Sequence, residues 1–181
     1  MRTDAELAEA FRDGDDRAFA ILFDRYRRPL YLFALKMLGE ADTARDLVQD
    51  VFLRIWERRG QLNRPESFRS WLFAVARNRC LSHLRQSRGQ VALDEAPESA
   101  LAVEPGPDTR EVEQDVALLR RALARLTVEH REVLVLREYQ ELSYREIAAI
   151  TEATESAVKS RLFKARKALH ETLRRASAQG R

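Results

Sequence analysis

The stretch Leu142–Leu169, LSYREIAAITEATESAVKSRLFKARKAL, decides the reading of the chain. Ser143 followed three residues later by Glu146 is a capping box, in which each residue satisfies a backbone N–H that the start of a helix leaves unpaired. Ile147, Ala148 and Ile150 follow at helical spacing and form an inward face. TEAT then makes a joint, and Thr154 supplies the cap of a second helix. On that helix Val158, Leu162, Ala165 and Leu169 recur at i, i+4, i+7 and i+11, a narrow apolar stripe. Between Ser156 and Arg175 the rest is basic: Lys159, Arg161, Lys164, Arg166, Lys167, Arg174 and Arg175 stand against one acid, Glu171.

A short helix, a tight joint and a basic helix make a helix-turn-helix pattern, whose second helix enters a major groove with its N-terminal half toward base edges. Ser156, Lys159, Ser160 and Phe163 fall on that outward half. Ser and Lys bond base edges, and an aromatic ring touches thymine methyls. Lys164, Arg166 and Lys167 suit phosphates, which supply affinity and salt dependence. Charge alone leaves open a plain solvated face on an ordinary bundle.

The remaining composition agrees with a helical chain. Apolar residues make up 45% and charged residues 34%, while Gly and Pro number only 6 and 5. Cys80 is the single cysteine, so no internal disulfide forms, and with His83, His130 and His170 scattered along the chain no metal cluster is expected. No cofactor is expected. The polar, acidic start MRTDAELAEAFRDGDD is neither a signal nor a transit peptide. No apolar run approaches the roughly 18 residues of a membrane span, so a cytoplasmic protein without direct membrane insertion is expected. Residues 1–88 carry 17 Lys and Arg against 13 Asp and Glu, residues 89–110 carry 1 against 5, and residues 111–181 carry 14 against 11. Two basic blocks flanking an acidic joint suggest two modules that each meet a polyanion.

GQVALDEAPESALAVEPGPDT (89–109) breaks the helical pattern with three prolines and two glycines, and reads as a flexible linker spanning 89–110. Ahead of it lies a bundle of three or four helices. Phe19, Leu22, Phe23, Tyr26, Leu30, Phe33, Ala34, Met37 and Leu38 trace one run, which Pro29 is expected to kink or split and Gly39 to end. Asp42 or Thr43 is the expected cap of the next helix, TARDLVQDVFLRIWERR, with Leu47, Val48, Val51 and Ile55 inward. After the loop GQLNRPES comes SFRSWLFAVARNRCLSHLRQS, with Phe68, Leu72, Val75, Ala76 and Leu84 inward and Trp71 alongside. Behind the linker, Val112, Val116, Leu119, Leu123 and Leu126 line one helix, and Thr127 caps VEHREVLVLREYQ. The tail RRASAQGR is expected to be disordered. The fold class is therefore all-α: an N-terminal helical bundle (1–88) and a C-terminal helix-turn-helix bundle (111–181).

These two domains together resemble a known family. YREIAAI…AVKSRLFKARKAL is similar to the region 4 helix-turn-helix of the extracytoplasmic-function sigma factors of bacterial RNA polymerase. TARDLVQDVFLRIWERR resembles their region 2 core-binding helix, and SFRSWLFAVARNRCLSHLRQ their promoter-melting helix. The likeness covers roughly residues 15–88 and 112–175. It implies a non-catalytic subunit that binds core polymerase, recognises a −35 element as duplex, and captures and melts a −10 element.

The resemblance also implies site residues. Asp46, Gln49, Asp50, Phe52 and Trp56 match positions that meet the clamp of the largest polymerase subunit, with the second domain meeting the flap of the second-largest. Asp46, Gln49 and Asp50 sit off the buried stripe. Phe52 and Trp56 flank it, suited to anchor an interface, although both could simply pack inside. Leu62, Asn63, Arg64 and Ser67 fall in the loop that pockets a flipped −10 base, and Asn78 matches a position that touches the non-template strand, with Arg77 beside it as a further −10 contact. Arg77, Arg79, Arg85 and Arg88 run along the melting helix without an acid after Glu66, as strand tracking requires. Trp71 and Phe73 could stack on bases, with core packing as the other role for Trp71. Arg137 matches a phosphate contact; Lys159, Ser160, Phe163 and Lys164 match positions that read or grip the −35 element, beside Ser156 and Arg166. The family often has Asp where Ser82 stands and Gly where Glu152 stands. A non-Gly residue in a left-handed turn costs roughly 1 kcal/mol. An anti-sigma partner is the expected regulator.

A plain duplex-binding regulator is the competing reading, and binding to core polymerase separates the two. An enzyme finds no support: no His–carboxylate pairing, phosphate-cradling glycine loop or nucleophile elbow stands in the sequence.

Overall fold

The computed structural model describes residues 2–91 and 110–179, with side chains described over 2–87 and 116–175. Every regular element among them is helical. The N-terminal module contains α1 (Asp4–Arg12), α2 (Asp16–Leu38), α3 (Ala41–Glu57) and α4 (Phe68–Val91); the C-terminal module contains α5 (Arg110–Ala124), α6 (Val128–Leu134), α7 (Tyr144–Thr151) and α8 (Glu155–Gln179). The linker reading falls on residues mostly outside those described, but α4 runs on to Val91 and α5 begins at Arg110, shortening it at both ends. Val112 likewise lies outside the described side chains.

The first helix, α1, has no counterpart in the sequence reading. Its Thr3–Glu6 capping box has both reciprocal bonds, and Leu7, Ala8 and Phe11 are fully buried. Asp4 ties it to α2 by accepting from Arg25 and from the Tyr26 hydroxyl. Burial, with the Asp4 carboxylate alongside, pushes the Tyr26 phenol well above its ordinary range.

The helix α2 runs unbroken through Pro29, against the expectation of a kink or split. Proline in a helix interior forfeits one hydrogen bond and costs about 3 kcal/mol. Tyr26, Leu30, Phe33, Ala34 and Met37 are buried on both sides of it, so packing holds the axis. Gly39 ends α2 with φ 83, the left-handed conformation glycine adopts without strain. The next helix starts at Ala41 behind Glu40, with no side-chain cap, so neither Asp42 nor Thr43 caps it; the Thr43 hydroxyl donates back to Glu40 instead.

The expected α3 stripe of Leu47, Val48, Val51 and Ile55 is buried. On α4, Phe68, Leu72, Phe73, Ala76 and Cys80 are buried, whereas Val75 and Leu84 are half-buried and Trp71 packs on the core edge against Phe68. Phe73 has no exposed surface, which removes it as a base-stacking group. Burial also pushes the Cys80 thiol up to about 12. In the second module Leu123 and Leu126 are buried, but Val116 is half exposed rather than inward. The region after Thr127 is not one uniform helix: α6 widens into a π turn at Val135–Tyr139. Near the C-terminus α8 continues helical to Gln179, where a disordered tail was expected.

The two modules share one continuous apolar core. The fourth helix lies against α7, and α2 against the π turn, α5 and α6.

Candidate nucleic-acid and partner interfaces

The helix-turn-helix forms as the sequence requires. Ser143 accepts from the Glu146 N–H at 3.2 Å, and Glu146 accepts from the Ser143 N–H at 2.8 Å. Ile147, Ala148 and Ile150 are buried. The joint passes through Glu152 at φ 53, ψ 42, the left-handed turn the family pattern fills with glycine, and Thr154 then accepts from the Ala157 N–H at 3.1 Å.

The two faces of α8 separate cleanly. At about 100° per residue, Val158, Leu162 and Ala165 share one side and are buried, with Leu169 half-buried below them. Ser156, Lys159, Ser160, Phe163 and Lys167 centre on the opposite side, flanked by Lys164 and Arg166, and all seven are exposed. Phe163 is 72% exposed, an unusual place for a large ring unless something covers it.

Behind this face lies a residue the sequence reading did not single out. The Arg137 guanidinium sits 5.1 Å and the Lys159 ammonium 5.7 Å from the Tyr144 ring centre, within cation–π range. Arg137 also donates to the Leu142 carbonyl at 2.8 Å, so it braces the start of α7 as well as flanking the face. Arg166 donates to Glu138 at 2.6 Å, and that bond holds its guanidinium above the ordinary range. Tyr144 directly follows the Ser143 cap in sequence, and only the fold brings Arg137 and Lys159 to its ring.

The proposed polymerase-facing residues on α3 divide. Asp46 and Gln49 are exposed. Asp50 is not free for a partner: it accepts from Arg54 at 3.1 Å and from Arg79 of α4. Phe52 is 4% exposed and packs against Phe19 and Phe23, which corrects its reading as a partly exposed anchor. Trp56 is half-buried among Phe11, Phe19 and Arg59. The apolar group that does project is Leu53, 58% exposed, in line with Gln49 and Asp46 at four- and seven-residue spacing. Its neighbour Phe52 is larger and drew the sequence reading; one step along a helix turns about 100° and exchanges inside for outside.

In the loop after α3, two 3₁₀ turns, Arg59–Gln61 and Pro65–Ser67, flank Asn63 and Arg64, both exposed. Leu62, 3% exposed, pins the loop and does not line an open pocket; Ser67 is half-buried. On α4, Asn78 is exposed. Arg77 is occupied: it donates to both carboxylate oxygens of Glu132 at 2.8 and 3.3 Å.

A cleft of about 640 Å³ opens between the modules, lined by Leu35, Lys36, Leu38, Val116, Leu119 and Tyr139 among others. The Lys36 ammonium rests 3.8 Å from the Tyr139 ring centre. No group of His, Cys, Asp and Glu among the described residues could hold a metal ion, and no described helix is long and apolar enough to cross a membrane.

This geometry defines a two-module, helix-turn-helix DNA-binding protein with a separate acidic-and-apolar face on its first module. Comparison with known proteins narrows the class. Residues 22–90 match the Sigma-70 region 2 family and residues 117–169 the Sigma-70, region 4 family. The ECF RNA polymerase sigma factor SigL of Mycobacterium tuberculosis is 36% identical over 155 residues, covering 84% of this chain and 86% of that protein. The ECF RNA polymerase sigma factor RpoE of Cereibacter sphaeroides is 34% identical over 168 residues, covering 89% and 90%. Among solved structures, CnrH in complex with the cytosolic domain of CnrY has a TM-score of 0.72 at 26% identity, covering 94% of this chain and 96% of that one. The sigma factor RpoE in complex with the anti-sigma factor NepR from Bartonella quintana has a TM-score of 0.74 at 27% identity, covering 86% and 96%. The chain belongs to the ECF sigma factors of the sigma-70 family, and acts as an alternative sigma factor directing promoter-specific transcription.

Proposed function

We propose that each module performs one part of initiation through the residues placed above. The α8 face of Ser156, Lys159, Ser160 and Phe163 reads the −35 element in the major groove, while Lys164, Arg166 and Arg137 hold its phosphates. Asp46 and Gln49, with Leu53 as apolar anchor, meet the clamp of the largest polymerase subunit; Asp50 and Trp56 shape that face from beneath. Asn63, Arg64 and Ser67 over Leu62 cradle a −10 base, and Arg77 and Asn78 hold the opened strand. No step asks the chain for catalysis, because the polymerase makes the bonds.

The single observation that carries this reading is the exposure of Phe163 amid a basic face, directly opposite the buried stripe that anchors α8. The chain works in the cytoplasm, on the nucleoid when active. The inter-module cleft, apolar with a basic rim of Lys36 and Arg120, suits an amphipathic acidic segment of an anti-sigma partner, through which the chain could be held at a membrane. Two solved relatives are captured with partner proteins, one with the cytosolic domain of CnrY and the other with the anti-sigma factor NepR. Asp46→Ala with Gln49→Ala tests the division of labour. Expected is loss of core-polymerase binding in a pull-down with duplex binding intact. Full core binding by the double variant contradicts the α3 assignment.

A further inference from the structure

Among the described residues, four polar bridges join the modules. Arg77 of α4 pairs with Glu132 of α6 at 2.8 Å. Arg131 donates to the Met37 carbonyl at 2.7 Å. Gln140 donates through Nε2 to the Pro29 carbonyl at 3.2 Å, and its own carbonyl accepts from Arg69. They are spread along α2 and α4, so they fix an orientation and do not merely tether two surfaces.

Glu132 is the telling member. It is 1% exposed, and its side-chain ion pair comes from the other module. A buried carboxylate without a cation is strongly unfavourable, whereas a buried pair and two hydrated ions differ little in free energy. Such a pair holds a specific arrangement while remaining easy to release once both charges can return to water. The helix it covers is the one to which the proposed function assigns the opened strand. Glu132 places two anionic oxygens on the Arg77 guanidinium, the same bidentate chemistry a strand phosphate would offer. Across the same module, by contrast, the α8 reading face is left uncovered.

We propose that this arrangement is a self-inhibited closed state, in which α4 is an interaction surface for the chain's own C-terminal module and Glu132 occupies Arg77 in place of a strand phosphate. The free protein then binds −35 duplex but not −10 single strand, and the modules must part before the strand is captured. The second half rests on the reading of Arg77 as a strand contact; the first half does not.

The test uses the full chain, with small-angle scattering for compactness and fluorescence anisotropy on a labelled single-stranded −10 oligonucleotide from a promoter mapped by run-off transcription. Glu132→Ala should raise the radius of gyration and strengthen strand binding at least tenfold. Arg77→Ala should open the protein equally but gain no strand affinity. Gln140→Ala, which leaves no unpaired buried charge, should raise the radius of gyration as well and serves if a charge variant fails to fold. Unchanged compactness in the folded variants overturns the closed state. Opening of Glu132→Ala without a gain in strand binding overturns the Arg77 assignment and leaves the inter-module contact standing.

Discussion

Phe163→Ala separates reading from folding more sharply than any other single change in this chain. The ring is 72% exposed, so its removal opens no cavity and should change folding stability by no more than about 0.5 kcal/mol. If the exposed part of the ring is covered by DNA, the loss is larger. Full burial of a Phe side chain is worth about 1.5–3 kcal/mol, and the exposed fraction brings that to about 1–2 kcal/mol, a weakening of roughly 5- to 30-fold in Kd. The adjacent Leu162 is the internal control. It is 1% exposed, and Leu162→Ala should cost about 2–5 kcal/mol of stability through the cavity it leaves. Thermal denaturation and duplex anisotropy at fixed salt, on a promoter found by run-off transcription, read both quantities. An unchanged Kd for Phe163→Ala, or a large drop in its Tm, would refute the assignment of outside and inside on α8.

Three other outcomes follow from the geometry. Tyr144→Ala should weaken −35 binding and relax base preference opposite Lys159, because two cations lose the ring that orients them, while Tyr144→Phe should retain both; a base-preference profile measures this. Arg166→Ala should weaken binding to all duplexes alike and lower the slope of log K against log salt by about one; loss of its exposed bridge to Glu138 should cost at most about 1 kcal/mol of stability. Cys80 should stay unreactive toward thiol reagents in the native protein, since burial both hides the sulfur and holds it protonated. Its raised pKa means that the folded state loses stability as pH rises past the ordinary thiol range toward about 12, with none of this effect below that range; a pH series of denaturant midpoints checks the direction.

Local signals in the sequence were reliable where a side chain acts on its own backbone. The Ser143–Glu146 box, the Thr127 and Thr154 caps, Gly39 at a positive φ and the inward stripes of α3 and α8 all form as their spacing demands. Failures occurred where distant segments decide. Pro29 stays helical because residues on both sides of it are buried by α3 and α4. The first helix was legible, with Leu7, Ala8 and Phe11 at helical spacing behind the Thr3–Glu6 box, but the acids Asp4, Glu6 and Glu9 make so short a segment read as a polar start. Phe52 and Leu53 exchanged roles because chemistry suggested the aromatic as the anchor while helix phase turned it inward. Glu132 lies four residues before the fully buried Leu136, on the inward face of its helix. A charged residue at that phase was a legible anomaly, but its partner, 55 residues away in the other module, was not.

On the proposed reading, this chain confers promoter choice on core polymerase through two separate modules. Run-off transcription on pooled genomic fragments, with purified core and with or without the protein, tests it most directly. Discrete new transcripts are expected whose templates share two upstream elements, with preference for the farther upstream one altered by Lys159→Ala. No new transcripts, while the protein still binds core and duplex DNA in parallel assays, would contradict that reading.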